Sequence, residues 1–181
     1  MPLLESLLNL DISIFLFINK SLSNPIFDFL FRYMFYSAYI LEFFFILVII
    51  YFFLKKEKAL ALLLIFTLVV NLFVASILKS DFERERPYQI LEAKKLINAE
   101  DNSSFPSRHA ELAFAFSTIM IFFYRRFGLL LILISAIIGI GRIYVGIHYP
   151  SDVVGGALIG ILLSIFILKL NIVKMKALKK R

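Results

Sequence analysis

FGLLLILISAIIGI–GRIYVGIHYPSD–VVGGALIGILLSIFIL, residues Phe127–Leu168, is two apolar runs joined by a polar connection. The runs are Phe127 to about Ile140 and Val153 to Leu168. The connection carries Arg142, His148 and Asp152 in a row. Apolar residues here are continuous rather than alternating, so the runs read as helices and not as barrel strands. Each approaches the ~20 apolar residues a helix needs to cross a bilayer. Upstream, Tyr33–Leu54, Ala59–Leu78 and Phe105–Tyr124 are three further runs of the same kind. The expectation is an all-α, polytopic membrane bundle of about five spans, one membrane-embedded domain over 1–181.

Residues 1–32 are apolar but broken by Glu5, Asp11, Lys20, Pro25, Asp28 and Arg32. They read as one or two helices lying in the interface, with a sixth span left open. The opening MPLLESLLNLD carries acids and no Lys or Arg, so no cleavable signal peptide is expected.

Totals agree with the pattern. A hydrophobic share of 61% excludes an ordinary soluble domain. The absence of Cys excludes disulfides and thiolate metal sites. The net charge of +7 gathers beside the apolar runs, which suits a bilayer and not a nucleic acid partner. Lys55–Lys58, Arg125-Arg126 and the tail over 169–181 are basic, whereas the polar region 79–104 mixes signs. The positive-inside rule then puts the basic segments and the C-terminus in the cytoplasm of a cell membrane. Five spans bring 79–104 and 141–152 together on the outer side. Seven of the eight Tyr (33, 36, 39, 51, 124, 144, 149) fall near span ends, as an aromatic belt would.

Three polar patches share that outer side. In the first, Lys79 and Arg86 are seven apart, which on a helix points both heads the same way, and Pro87 ends the helix. Two such cations suit a phosphate. The competing reading is a snorkelling helix end whose cations pair with Glu83 and Glu85. In the second patch, Pro106-Ser107 reads as a helix start and thus a ready anion site, with Arg108 and His109 in the first turn. Here an ordinary cap with an interfacial His competes. In the third, Pro150-Ser151-Asp152 is another helix start, and Asp152 lies four residues beyond His148, within reach of a ring nitrogen. A carboxylate–imidazole pair sets the tautomer and makes the other nitrogen reactive. Both histidines of the chain lie in these patches.

Taken together, the patches resemble the type 2 phosphatidic acid phosphatase family, whose signature is Lys-x6-Arg-Pro, Pro-Ser-x-His and Arg-x5-His-x3-Asp. The matching residues are Lys79, Arg86 and Pro87, then Pro106, Ser107 and His109, then Arg142, His148 and Asp152. Arg108 stands where the family often has Gly, and Gly141 where it often has Ser before the motif Arg. The resemblance implies a metal-independent and cofactor-free phosphatase working through a phosphohistidine. It makes His148 the nucleophile, Asp152 its orienting partner and His109 the general acid and then base. Lys79, Arg86, Ser107 and Arg142 would hold the phosphoryl oxygens, and Arg108 would reach the second phosphate of a diphosphate or else sit solvated among headgroups. Three cations and a helix N-terminus can neutralise a transferring phosphoryl group without a metal.

A site at the membrane boundary implies a lipid phosphate substrate. Undecaprenyl diphosphate is the first choice. The alternatives are a lipid A 1-phosphatase, a phosphatidylglycerophosphate or phosphatidate phosphatase, and, more remotely, a non-catalytic membrane anion-binding protein. A haloperoxidase shares the motifs, but the spans favour a lipid. Outside the motifs, Glu111 borders the second patch and is a candidate intramembrane acid. Glu42 reads as interfacial and Asn71 as a bond between helices.

Overall fold

The computed structural model describes residues 2–34, 40–99 and 103–178, and every regular element among them is helical. In chain order they are α1 (Pro2–Leu16), a π-helical turn (Phe17–Ser21), α2 (Pro25–Met34), α3 (Ile40–Leu54), α4 (Lys58–Asp81), a one-turn α5 (Pro87–Ile90), α6 (Arg108–Phe123), α7 (Arg125–Tyr144) and α8 (Pro150–Leu178). Tyr36, Tyr39, Glu100, Asp101 and residues 179–181 of the tail lie outside the described residues.

The helical membrane architecture expected from the apolar runs is present. Lys58–Asp81, Arg125–Tyr144 and Pro150–Leu170 are long and apolar enough to cross a bilayer. Their outward faces carry exposed Phe66 and Phe73 on α4, Leu133 and Ile137 on α7, and Leu162 and Phe166 on α8, as hydrocarbon contact requires. The other two expected spans form shorter helices. The described part of α3 has 15 residues. Helix α6 has 16, because the chain bends at Phe105-Pro106 and Ser107, with extended backbone, takes the N-cap position.

Helix α6 is the centre of the bundle. It packs on α8 and α7, then on α4 and α3, and Ala110, Ala113, Ala115, Phe116, Ile119 and Met120 are buried. Phe116 stacks on Phe45 of α3 at 4.6 Å between ring centroids. On the α8 side the contact is backbone to backbone. A Cβ at Gly156 would sit 2.6 Å from the Ser107 carbonyl oxygen, and one at Gly160 would sit 2.2 Å from that of Glu111. These two glycines, four apart, let α8 lie directly on the first turns of α6, as small residues do in membrane helix pairs.

The ends of the bundle differ in chemistry. At one end, the Tyr124 hydroxyl donates to the Glu57 carboxylate at 2.6 Å, joining the two basic turns. At the other end, the long polar region meets the α7–α8 connection. Leu96 N–H donates to the Val145 carbonyl at 3.1 Å, and Ser107 N–H to that of Asp152 at 3.0 Å. The two regions expected to share one side therefore do.

Four expectations need correction. Lys79 and Arg86 are not on one helix, since α4 stops at Asp81 and Phe82–Arg86 is not helical. Pro87 does not end a helix but opens α5. Asn71 is no bond between helices in the sense expected, because its amide donates back to the Thr67 carbonyl of its own helix at 2.8 Å. Tyr144 and Tyr149 are not belt residues, as each is 2% exposed. Tyr144 donates to Asp28 at 2.8 Å, and Tyr149 packs on Phe15.

The tight α6–α8 contact makes a direct prediction. Gly160→Ala should force the helices apart and cost roughly 1–3 kcal/mol. Thermal unfolding in detergent would measure it, and an unchanged midpoint would mean the contact carries no such constraint.

Candidate active site

The segment Val145–Tyr149 is a tight turn between α7 and α8. Its Gly146 has φ 89°, and a Cβ there would meet the Lys94 carbonyl oxygen at 2.4 Å. Only glycine suits both conditions. Asn19, fully buried in the π-helical turn, holds the loop from outside. Its amide donates to the Tyr144 carbonyl at 2.7 Å and to that of Lys94 at 2.9 Å. Arg86 braces the other flank by donating to the Ile147 carbonyl at 3.0 Å.

His148 is held in this turn at 3% exposure, facing Asp152 across one turn of chain. The Nδ1–Oδ2 separation is 3.6 Å, a close approach rather than a formed hydrogen bond. Such bonds often tighten only when substrate is present. With Nδ1 turned to the carboxylate, Nε2 is the nitrogen left for an incoming atom. Burial pushes the imidazole pKa down to about 3; Asp152 opposes this, and the charges of Arg142 and Arg86 add to it. His148 is therefore neutral near pH 7, as a nitrogen nucleophile must be.

Asp152 has no exposure at all. Its Oδ2 accepts from the Tyr149 N–H at 2.8 Å, and its Oδ1 accepts from Arg84 Nη1 at 2.6 Å. The second arm of Arg84 donates to Asp11 of α1 at 2.7 Å. Burial works against the charge of Arg84, but Asp152 and Asp11 outweigh it and raise the guanidinium pKa. The competing reading, in which Glu83 and Glu85 neutralise the arginines, fails on geometry. Along the extended segment Arg84 and Arg86 turn inward, while Glu83 and Glu85 are exposed.

Of the remaining expected residues, Arg86, Arg142 and Ser107 lie beside this pair. Arg86 and Arg142 are 4% and 7% exposed, unusual for cations at a membrane boundary, and both act on His148. Ser107 caps α6 as expected, and its Oγ is fully buried with no hydrogen-bond partner among the described residues. A hydroxyl so placed at a helix N-terminus is chemically suited to binding an anion. Lys79 is half-buried at the end of α4, where its ammonium donates to the Ser103 carbonyl. Arg108, also half-buried, opens α6. His109, one residue on, lines an apolar cavity of about 310 Å³ between α3, α6 and α7. Phe44, Phe45, Phe116, Leu131 and Ile138 are among the residues of its wall.

Glu111 is 0% exposed, and neither carboxylate oxygen has a hydrogen-bond partner among the described residues. It lies against the α6–α8 crossing, beside the glycine contact. Glu42 likewise keeps one buried carboxylate oxygen without a partner. Asp11 and Arg84 touch the site and were missed by the sequence reading. The signal for Asp11 was an acid inside the apolar run Leu7–Phe17. The signal for Arg84 was its place two residues before Arg86, which matters only once the segment is known to be extended.

Residues 60–175 match the family model described as the PAP2 superfamily. Among characterised proteins, the chain is 32% identical to the bacitracin transport permease protein BcrC of Bacillus licheniformis. That match covers 87% of this chain and 79% of the relative. It is 33% identical to undecaprenyl-diphosphatase BcrC of Bacillus subtilis over 54% of this chain and 48% of that protein. Among solved structures, Aquifex aeolicus LpxE superposes with a TM-score of 0.76 at 31% identity. The superposition covers 88% of this chain and 95% of that one.

With only two histidines in the chain, the protonation of His148 can be read directly. Nitrogen NMR of histidine-labelled protein should find it neutral from pH 7 down to about 3. The unfolded chain takes up that proton near pH ~6.5, so the folded state should lose stability as pH falls below that value. A midpoint near 6.5 in the folded protein would contradict the buried, cation-flanked geometry.

Proposed function

Because the chain belongs to the PAP2 superfamily and is a membrane lipid phosphatase, we propose that it removes the terminal phosphate of undecaprenyl diphosphate. The observation that carries this reading is the cavity at His109. A buried imidazole in the wall of a mostly apolar cavity between membrane helices suits a substrate with a phosphate head and a long hydrocarbon tail. The choice of a polyprenyl diphosphate rests on the Bacillus subtilis relative, which is named for that activity.

In the proposed reaction, His148 Nε2 attacks the terminal phosphorus. The new P–N bond forms as the bond to the bridging oxygen breaks. His109 protonates that oxygen, and the lipid monophosphate leaves. His109 then takes a proton from water, whose oxygen attacks phosphorus. The P–N bond breaks, and inorganic phosphate and neutral His148 are regenerated. Asp152 stabilises the imidazolium formed in the first step. Lys79, Arg86, Arg142 and the Ser107 hydroxyl hold the equatorial oxygens, where positioning and charge neutralisation supply most of the catalysis. Arg108 meets the second phosphate of the diphosphate. The basic turns Lys55–Lys58 and Arg125-Arg126 face the cytoplasm by the positive-inside rule, so the site faces outward.

The test is phosphate release by the purified protein from vesicles carrying undecaprenyl diphosphate, lipid A, phosphatidylglycerophosphate or phosphatidate. Undecaprenyl diphosphate should have the highest kcat/KM, and preference for another lipid would move the substrate assignment to that lipid. Turnover by His148→Ala should be lost on every substrate; survival on any would remove His148 from the nucleophile role. In the same panel, Arg108→Gly should lower diphosphate turnover more than monophosphate turnover. Equal losses would detach Arg108 from the second phosphate.

A further inference from the structure

We propose that Asp11 and Arg84 are positioning residues for the nucleophile, and that α1 is thereby part of the catalytic apparatus rather than a membrane-surface appendage. The inference rests on the assignment of His148 as nucleophile and extends it outward by two residues. A chain of contacts runs Asp11–Arg84–Asp152–His148, at 2.7, 2.6 and 3.6 Å. Only the last of these links is local in sequence, between residues four apart.

The geometry of each link is specific. Arg84 uses both arms, Nη2 on Asp11 and Nη1 on Asp152, as the planar fork of arginine permits and lysine does not. The guanidinium lies over the Tyr149 ring at 4.1 Å, which sets its plane. Tyr149 in turn packs on Phe15, one turn beyond Asp11 on α1. Asp11 does more than hold Arg84. Its Oδ1 accepts from the Ser151 N–H at 2.8 Å, and its Oδ2 accepts from the Ser151 hydroxyl. Asp11 thus ties α1 to the first turn of α8, where Asp152 sits.

Charge counting says why two residues are needed. Asp152 is fully buried and would cost a great deal to keep ionised without a partner. Arg84 meets that need, yet an unbalanced arginine at 2.6 Å would also draw the carboxylate's charge away from His148. Asp11 supplies the balancing negative charge on the far side. The Asp11–Arg84 pair is then close to neutral, Oδ1 is pinned, and Oδ2 is left to meet the imidazole as it becomes cationic. Neither Asp11 nor Arg84 needs to touch substrate for this.

The experiment compares Asp11→Asn, Asp11→Glu and His148→Ala in the full-length protein. Activity is measured with a water-soluble phosphate ester and with lipid phosphate in vesicles. Asp11→Asn keeps the shape and one acceptor for Ser151 but removes the charge. It should lower kcat by ~10–100-fold, because misplacing a reacting group by a fraction of an ångström has effects of that order. KM and the inhibition constant of inorganic phosphate should stay within about twofold, since ground-state binding is untouched. Asp11→Glu should recover part of kcat. A purely structural tie would instead lower the thermal midpoint and leave kcat per folded molecule unchanged, which would overturn the proposal. A weakened phosphate inhibition constant with kcat retained would also overturn it, making Arg84 a phosphate ligand. If His148→Ala is inactive while Asp11→Asn is fully active, only the positioning chain fails. If His148→Ala is active, the nucleophile assignment itself fails.

Discussion

A carboxylate with no exposure, placed at the first turn of a membrane helix, must be satisfied on every side. Asp152 is that group, and much of the fold around it can be understood as the answer. Its two oxygens are divided between the Tyr149 N–H and Arg84, with His148 facing Oδ2. Its carbonyl takes the Ser107 N–H that opens α6. Through these bonds one residue links the α7–α8 turn, the extended segment after α4 and the N-terminus of the central helix. Burial makes each bond worth more than it would be in water, and also makes each loss more damaging.

That convergence needs helices close enough for loops to share atoms. Glycines four apart on α8 remove the side chains that would hold it off α6. The Ser107 and Glu111 backbones can then lie against α8, so the caps of α6 and α8 come into hydrogen-bonding contact. The cations follow from the same compactness. Arg86 and Arg142 are buried close enough to His148 for their charges to act on its imidazole.

Much of this was legible in the sequence. Continuous apolar runs point to helices in a membrane, since the alternative, a closed barrel, needs alternating apolar and polar residues. Loop charge, together with the two spans expected between them, brought 79–104 and 141–152 to one side. The helix starts at Ser107 and Pro150 follow from local chemistry, and the structure has both. Less legible were features that depend on where a helix stops. The Lys79–Arg86 spacing suits two helical turns, but α4 ends at Asp81 and the rest is extended. The period changes from 3.6 to 2, and a different arginine, Arg84, turns inward. Tyr144 and Tyr149 read as belt residues because position relative to a span end says nothing about which side of the turn faces protein.

The sequence alone therefore determines the reaction family, the helical membrane architecture and the motif residues, because each depends on residue type and spacing within a short window. The tertiary structure determines that Asp11, well over a hundred residues from Asp152, reaches the same arginine. It also determines that Asn19 holds the α7–α8 turn. Those partnerships arise from how α1 and the π-helical turn lie across the bundle. No local pattern encodes that, because an acid in an apolar helix can face lipid headgroups, solvent or a buried cation, and only packing selects among them.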